Sequence, residues 1–130
     1  MFRRIIFLMG LMSVLLSLTG CGYGKTKLTK SDNGKTIKVK AGLLIVVELE
    51  GNPSTGYIWE AKDLDGRILQ QVGEAKFKSV NPGLVGAGGT LTLTFKTLMA
   101  GKINLTLIYH RPWEKNVEPQ SLYNVTILIK

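Results

Sequence analysis

Side chains that usually carry catalysis are scarce in this chain, and those that favour contact with another molecule are clustered. His110 is the single histidine and Cys21 the single cysteine. There is no Gly-x-Ser-x-Gly elbow, and no readable pattern places a carboxylate beside His110, so no hydrolase triad is assembled. A zinc site needs more His, Cys or clustered carboxylates than the sequence offers. The expectation is a protein that is not an enzyme, with no catalytic residue, no metal and no cofactor. His110 is read as ending a strand or assisting the loop that follows it.

Three short segments instead have the composition of binding loops. The first is Gly51-Asn52-Pro53-Ser54-Thr55-Gly56-Tyr57. Pro53 fixes φ and stiffens the tip, which lowers the ordering cost of binding. Asn52 and Ser54 have side chains that hydrogen-bond their own backbone and hold a turn. The second is Gly86-Ala87-Gly88-Gly89, whose glycines let backbone approach a partner or take positive φ. It is not read as a phosphate cradle, because a strand pattern follows it rather than a helix N-terminus. The third is Arg111-Pro112-Trp113, where Arg and Trp are residue types enriched at interface hot spots. Trp113 has a second reading, as a cap over the core.

The elements that must position these segments are strands. Thr36–Lys40 alternates, and Leu43–Leu49 is a nearly continuous apolar run with β-branched Ile45, Val46 and Val47. Tyr57-Ile58-Trp59 opens a third strand, with Trp59 in the core. Arg67–Ser79 reads as one long strand interrupted at Gly73, as by a bulge. Thr90–Thr97, Lys102–Tyr109 and Leu122–Ile129 alternate cleanly, and no part of the chain after Cys21 shows a 3.6-residue apolar stripe. About seven strands separated by turn signals suggest an all-β, antiparallel sandwich. Chain direction alternates in such a fold, so the second, fourth and sixth connections share one end. Those connections are Glu50–Gly56, Val80–Gly89 and His110–Gln120, which hold the three segments. Binding surfaces commonly sit on loops carried by a rigid scaffold.

The three segments, in this order and on alternate loops, resemble the signatures of the chagasin-type inhibitors of papain-like cysteine peptidases. The resemblance covers the whole domain and implies an immunoglobulin-like sandwich whose three loops form a wedge. It implies reversible, non-covalent inhibition, the wedge entering the active-site cleft of a papain-like peptidase. The implied contact set is Asn52, Pro53, Ser54, Thr55, Gly56, Gly86, Ala87, Gly88, Gly89, Arg111, Pro112 and Trp113. By family position Ser54 lies nearest the catalytic cysteine, where the family commonly has Thr, and Tyr57 is a packing residue. The rival reading is a structural or adhesion lipoprotein of the cell envelope with a binding β-sandwich, since one fold hosts many functions.

The start of the chain reads as a targeting segment. Met1-Phe2-Arg3-Arg4 is basic, and the apolar run Ile5–Leu18 falls short of the 18 or so residues that span a bilayer. Leu18-Thr19-Gly20-Cys21 resembles the bacterial lipobox, which implies cleavage before Cys21 and acylation of its thiol, with palmitate among the acyl chains. The expected division is a signal peptide over 1–20, a polar tether over 21–34 and an inhibitor domain over 35–130. Removal of Arg3 and Arg4 leaves 15 basic residues (17 − 2) against 9 acidic, a net +6. Many of the lysines fall early, at Lys25, Lys27, Lys30, Lys35, Lys38 and Lys40, and are read as a solvated tether rather than a lipid-binding stretch. The expected protein is an exported, lipid-anchored monomer held by acylated Cys21 to the bilayer, with no nucleic-acid partner. Gly22 rather than Asp after the cysteine favours the outer membrane, facing the periplasm, if the cell has two membranes.

Overall fold

A computed structural model describes residues 24–84 and 86–130. The signal peptide over 1–20 and lipidation at Cys21 lie outside the described residues. Nine strands occur among the described residues: β1 (Lys25–Leu28), β2 (Thr36–Val39), β3 (Leu44–Gly51), β4 (Ile58–Lys62), β5 (Leu69–Gln71), β6 (Lys76–Ser79), β7 (Gly89–Thr97), β8 (Gly101–His110) and β9 (Ser121–Ile129). They form two facing sheets. One has the order β1-β3-β7-β5, with β6 also pairing β7; the other has the order β2-β9-β8-β4.

The period-two pattern produces the core. Ile45, Val47 and Leu49 of β3 and Leu91, Leu93 and Phe95 of β7 point inward from one sheet. Ile103, Leu105 and Leu107 of β8 and Tyr123, Val125, Ile127 and Ile129 of β9 point inward from the other. Truncating a large member such as Phe95 to Ala removes that burial and leaves a cavity, a loss of about 3–5 kcal/mol. Leu43–Leu49 is therefore not buried on both sides. Leu44 and Val46 lie on the outer, half-covered face of β3.

Four expectations need correction. The tether over 21–34 contains an ordered strand, so the sandwich begins before residue 35. β1 lies parallel to β3, and its one apolar side chain, Leu28, is 1% exposed. A four-residue strand with a single apolar residue carries no readable alternation; the edge of β3 stabilises it. The sheets are also mixed rather than purely antiparallel. β1 runs toward the loops beside β3, a 3-10 turn over Lys30–Asp32 reverses the chain, and β2 returns parallel to β9 in the other sheet. The long strand over 67–79 is two short ones, β5 and β6. The chain breaks between them near Gly73, at φ 69°, and each pairs with β7. Finally, Trp59 is half-buried rather than central. It packs against the core margin while its indole Nε1 donates to the Glu50 carbonyl at 2.9 Å.

The register puts the functional segments at one pole. Gly51 pairs with Gly89, Ser79 with Gly89, Ile58 with His110 and Tyr109 with Ser121. The connections after β3, β6 and β8 therefore leave from the same end of the sandwich, as strand counting requires.

Candidate functional site

The loop after β3 folds on its own side chains. Pro53–Thr55 make one 3-10 turn, started by Asn52 in extended conformation and ended by Gly56 at φ 83°. Asn52 Oδ1 accepts from the Ser54 amide at 3.2 Å and from the Ser54 hydroxyl at 2.5 Å. The Thr55 hydroxyl donates to the Asn52 carbonyl at 2.6 Å. Proline at the first position of the turn has no N–H to leave unsatisfied. Pro53, Ser54 and Thr55 are all exposed, so the turn is rigid and presented to solvent.

Asn52 also ties this loop to its neighbours. Its Nδ2 donates to the Gly86 carbonyl at 2.9 Å, and its backbone N–H donates to the Tyr109 hydroxyl at 3.1 Å. Gly86 stands at φ 81°. A side chain at Gly88 would meet the Gly51 carbonyl at an ordinary 3.6 Å. Gly89 differs: it is buried, and a Cβ there would lie 2.1 Å from the Lys78 carbonyl oxygen. Close strand packing accounts for that glycine.

The loop after β8 is held by Arg111. Its Nε donates to the Thr55 carbonyl at 3.0 Å, its Nη1 pairs with Glu114 at 3.2 Å, and the guanidinium sits 4.5 Å over the Tyr57 ring. Tyr57 stacks on Tyr109 at 5.1 Å, and Tyr109 on Trp59 at 4.9 Å. An aromatic ladder thus runs from the sheet into the loops with a cation at its end, an arrangement favoured by the ring quadrupoles. Arg111 is half-buried, and its polar atoms bind the loops together. Trp113 is 66% exposed, and the edge of its indole covers Gly56, where a Cβ would meet it at 2.1 Å. Gly56 is thus required twice, by its φ and by the ring above it. Trp113 caps a loop rather than the core.

His110 is the last residue of β8, and its Nε2 lies 2.6 Å from Glu60 Oε2. No serine or cysteine nucleophile is hydrogen-bonded to it among the described residues. The pair reinforces the β4–β8 edge beneath the loops.

The structure brings all three segments together, linked by Asn52 to Gly86 and by Arg111 to Thr55. Sequence reasoning missed Tyr109 and Glu114 as supports, since neither lies in a recognisable motif. It also missed the exposed apolar side chains of the loop after β6, Val80 at 81% and Leu84 at 61% exposed. Apolar residues inside a segment punctuated by Pro82-Gly83 were the available signal.

Comparison with known proteins bears on the family and the fold. The profile of the family described as Chagasin family peptidase inhibitor I42 matches residues 38–127. Chagasin of Trypanosoma cruzi is 34% identical over 93 residues, covering 67% of this chain and 82% of that protein. Amoebiasin-1 of Entamoeba histolytica is 31% identical over 94 residues, covering 72% of this chain and 90% of that protein. Among solved structures, the cysteine protease inhibitor EhICP2 of Entamoeba histolytica superposes with a TM-score of 0.72 at 29% identity, covering 82% of this chain and 96% of that one.

Proposed function

The chain belongs to the chagasin family of peptidase inhibitors, and on that premise we propose that it inhibits papain-like cysteine peptidases reversibly, by seating its three linked loops in their active-site cleft. The observation that supports this reading most is the cross-bonding of the loops: Asn52 to Gly86 and Arg111 to Thr55 join three separate segments into one exposed edge. Binding costs less when the contact groups are already ordered. Pro53–Thr55 are held in 3-10 conformation, whereas a substrate lies extended in a cleft, so the turn offers a peptidase no scissile bond in register. Ser54, at the tip, stands where the family places its residue nearest the catalytic cysteine. Trp113, Val80 and Leu84 supply exposed apolar surface on either side of that tip.

In this reading the apolar leader is removed before Cys21, the cysteine is acylated, and the inhibitor works at the surface of a membrane outside the cytoplasm. The test is titration of papain with the purified chain. Competitive inhibition that reverses on dilution, with the inhibitor intact afterwards, is the expected result. Full papain activity at micromolar concentrations of folded protein would refute the proposal.

A further inference from the structure

The pole opposite the loops has its own surface chemistry. Strand register sets it out in two rows. On the outer face of one sheet, Lys25 pairs with Leu44 and Leu44 with Lys96. On the outer face of the other, Lys38 pairs with Leu128 and Leu128 with Lys102. Each row is a half-buried leucine between two exposed lysines. Lys40 and Lys130 follow at the ends of β2 and β9, on the same pole, where the Ala41 amide donates to the Lys130 carbonyl at 3.0 Å. Among the described residues, none of these six lysines forms an ion pair. Between Lys96 and Lys102 the β7–β8 turn projects Leu98 and Met99, 41% and 50% exposed.

The acidic residues lie mostly elsewhere. Glu48, Glu50 and Glu60 pair with Thr92, Thr90 and Ile108, in the loop half, and Glu114 and Glu118 are in the loop after β8. At the far pole stand Asp63, next to Lys62, and Asp65, which is engaged by Arg67 at 3.0 Å. The chain also enters here: the Gly24 carbonyl accepts from the Leu44 amide at 3.2 Å, at the loop-distal end of β3. Three positions before Gly24 is Cys21, and before that the apolar run.

We propose that this pole is a docking surface for anionic phospholipid headgroups, which holds the peptidase-binding loops facing away from the bilayer. Apolar side chains at a turn tip enter the headgroup boundary while surrounding lysines meet phosphate, each lysine near the surface strengthening attachment about fivefold. β8, ten residues long, separates this pole from the loops by about 30 Å. That separation leaves the loop edge clear of lipid for a large partner. The inference is independent of the inhibitor reading, because it concerns the opposite end of the domain.

The experiment uses the purified full chain with vesicles of phosphatidylcholine alone and of equimolar phosphatidylcholine and phosphatidylglycerol. The leader segment, with Arg3 and Arg4, is common to the wild type and the variants, so the difference between wild type and variant on the anionic vesicles reports the domain. Tighter partition to the anionic vesicles is expected, declining with salt. Replacing Lys96 and Lys102 by Gln should weaken that partition on the order of 20-fold, and Met99→Asp should weaken it too. Both variants should keep the wild-type thermal midpoint and papain inhibition. Trp59 and Trp113 both lie near the loops, so brominated lipid should leave their fluorescence unquenched in the bound state. Equal partition to the two vesicles, unchanged partition of the lysine variant, or strong tryptophan quenching would overturn the proposal. So would concentration-dependent dimerisation lost in Met99→Asp without any lipid preference, which would make the pole a self-association face.

Discussion

The two poles of this sandwich are closed by side chains of opposite exposure. At the far pole the chain closes around one residue, Thr97, whose side chain is fully buried. The Thr97 hydroxyl accepts from the Leu43 amide at 3.0 Å and donates to the Lys40 carbonyl at 2.8 Å, while the Gly42 amide donates to the Thr97 carbonyl at 2.8 Å. At the loop pole the ties come from side chains at the surface: Asn52 to Gly86, Thr55 to Asn52, Arg111 to Thr55. A closed end needs no exposed ordered groups, so short turns suffice. A recognition edge must hold exposed groups in place without the core's help. Asn52 and Arg111, at the bases of the first and third loops, do that while the tips stay free.

This contrast can be broken from either side. Among variants at the poles, the largest expected effect on stability is that of Thr97→Val, which leaves the Leu43 N–H without its side-chain partner. A loss of about 2–3 kcal/mol and a fall in Tm on the order of 10 °C should appear in thermal melts. Inhibition at low temperature should be unchanged; a weakened inhibition constant would show that the poles are coupled. Trp113→Ala acts the other way round. It should weaken inhibition by about 2 kcal/mol, roughly 30-fold, with Tm within a few degrees of wild type.

Asn52→Ala sharpens the comparison, because it cuts the tie between the first two loops while leaving the exposed tip residues and the Arg111–Thr55 bond in place. We expect inhibition to weaken about tenfold, with a stability loss of about 1 kcal/mol from the missing cap. A ten-fold change carried by the dissociation rate alone would show loss of contact. A slower association rate as well would show loss of pre-organisation.

The smallest effect concerns the join between β1 and the second sheet. The Tyr123 hydroxyl donates to the Thr29 carbonyl at 2.8 Å, and burial first, with the Asp32 charge second, pushes its pKa up to about 12. An unfolded tyrosine titrates near 10. The fold therefore holds one more proton between these values, and stability falls as pH rises through that window. Tyr123→Phe should cost about 1 kcal/mol at neutral pH. The gap between variant and wild type should narrow or reverse above about pH 10 in denaturant titrations; a constant gap up to pH 12 would contradict the shift.

Much of this was legible in the residues. Leu91, Leu93 and Phe95, or Tyr123, Val125 and Ile127, declare their inward face by alternation alone, because a strand turns every second side chain to the same side. The pole shared by Asn52, Gly86 and Arg111 followed from counting strands. Other parts were not legible. Arg111 has the composition of a contact residue, yet its guanidinium is spent on Thr55, Glu114 and Tyr57, three groups that meet only when loops from different strand pairs converge. The lysines at 25 and 38 read as parts of a solvated run, and no local pattern placed them beside Lys96 and Lys102.

By itself, then, the sequence determined the all-β character, the core faces and the loops that carry recognition, since each depends on the spacing of neighbouring residues along one chain segment. Tertiary structure alone decided that Lys25–Leu28 adds a strand, that two of the strand pairs run parallel, and that lysines far apart in sequence share one pole. Pairing of strands is settled by which hydrogen-bonding edge is free and which buried surface it completes. Those are properties of the assembled sheets, and a strand as short as β1 acquires its stability only from them.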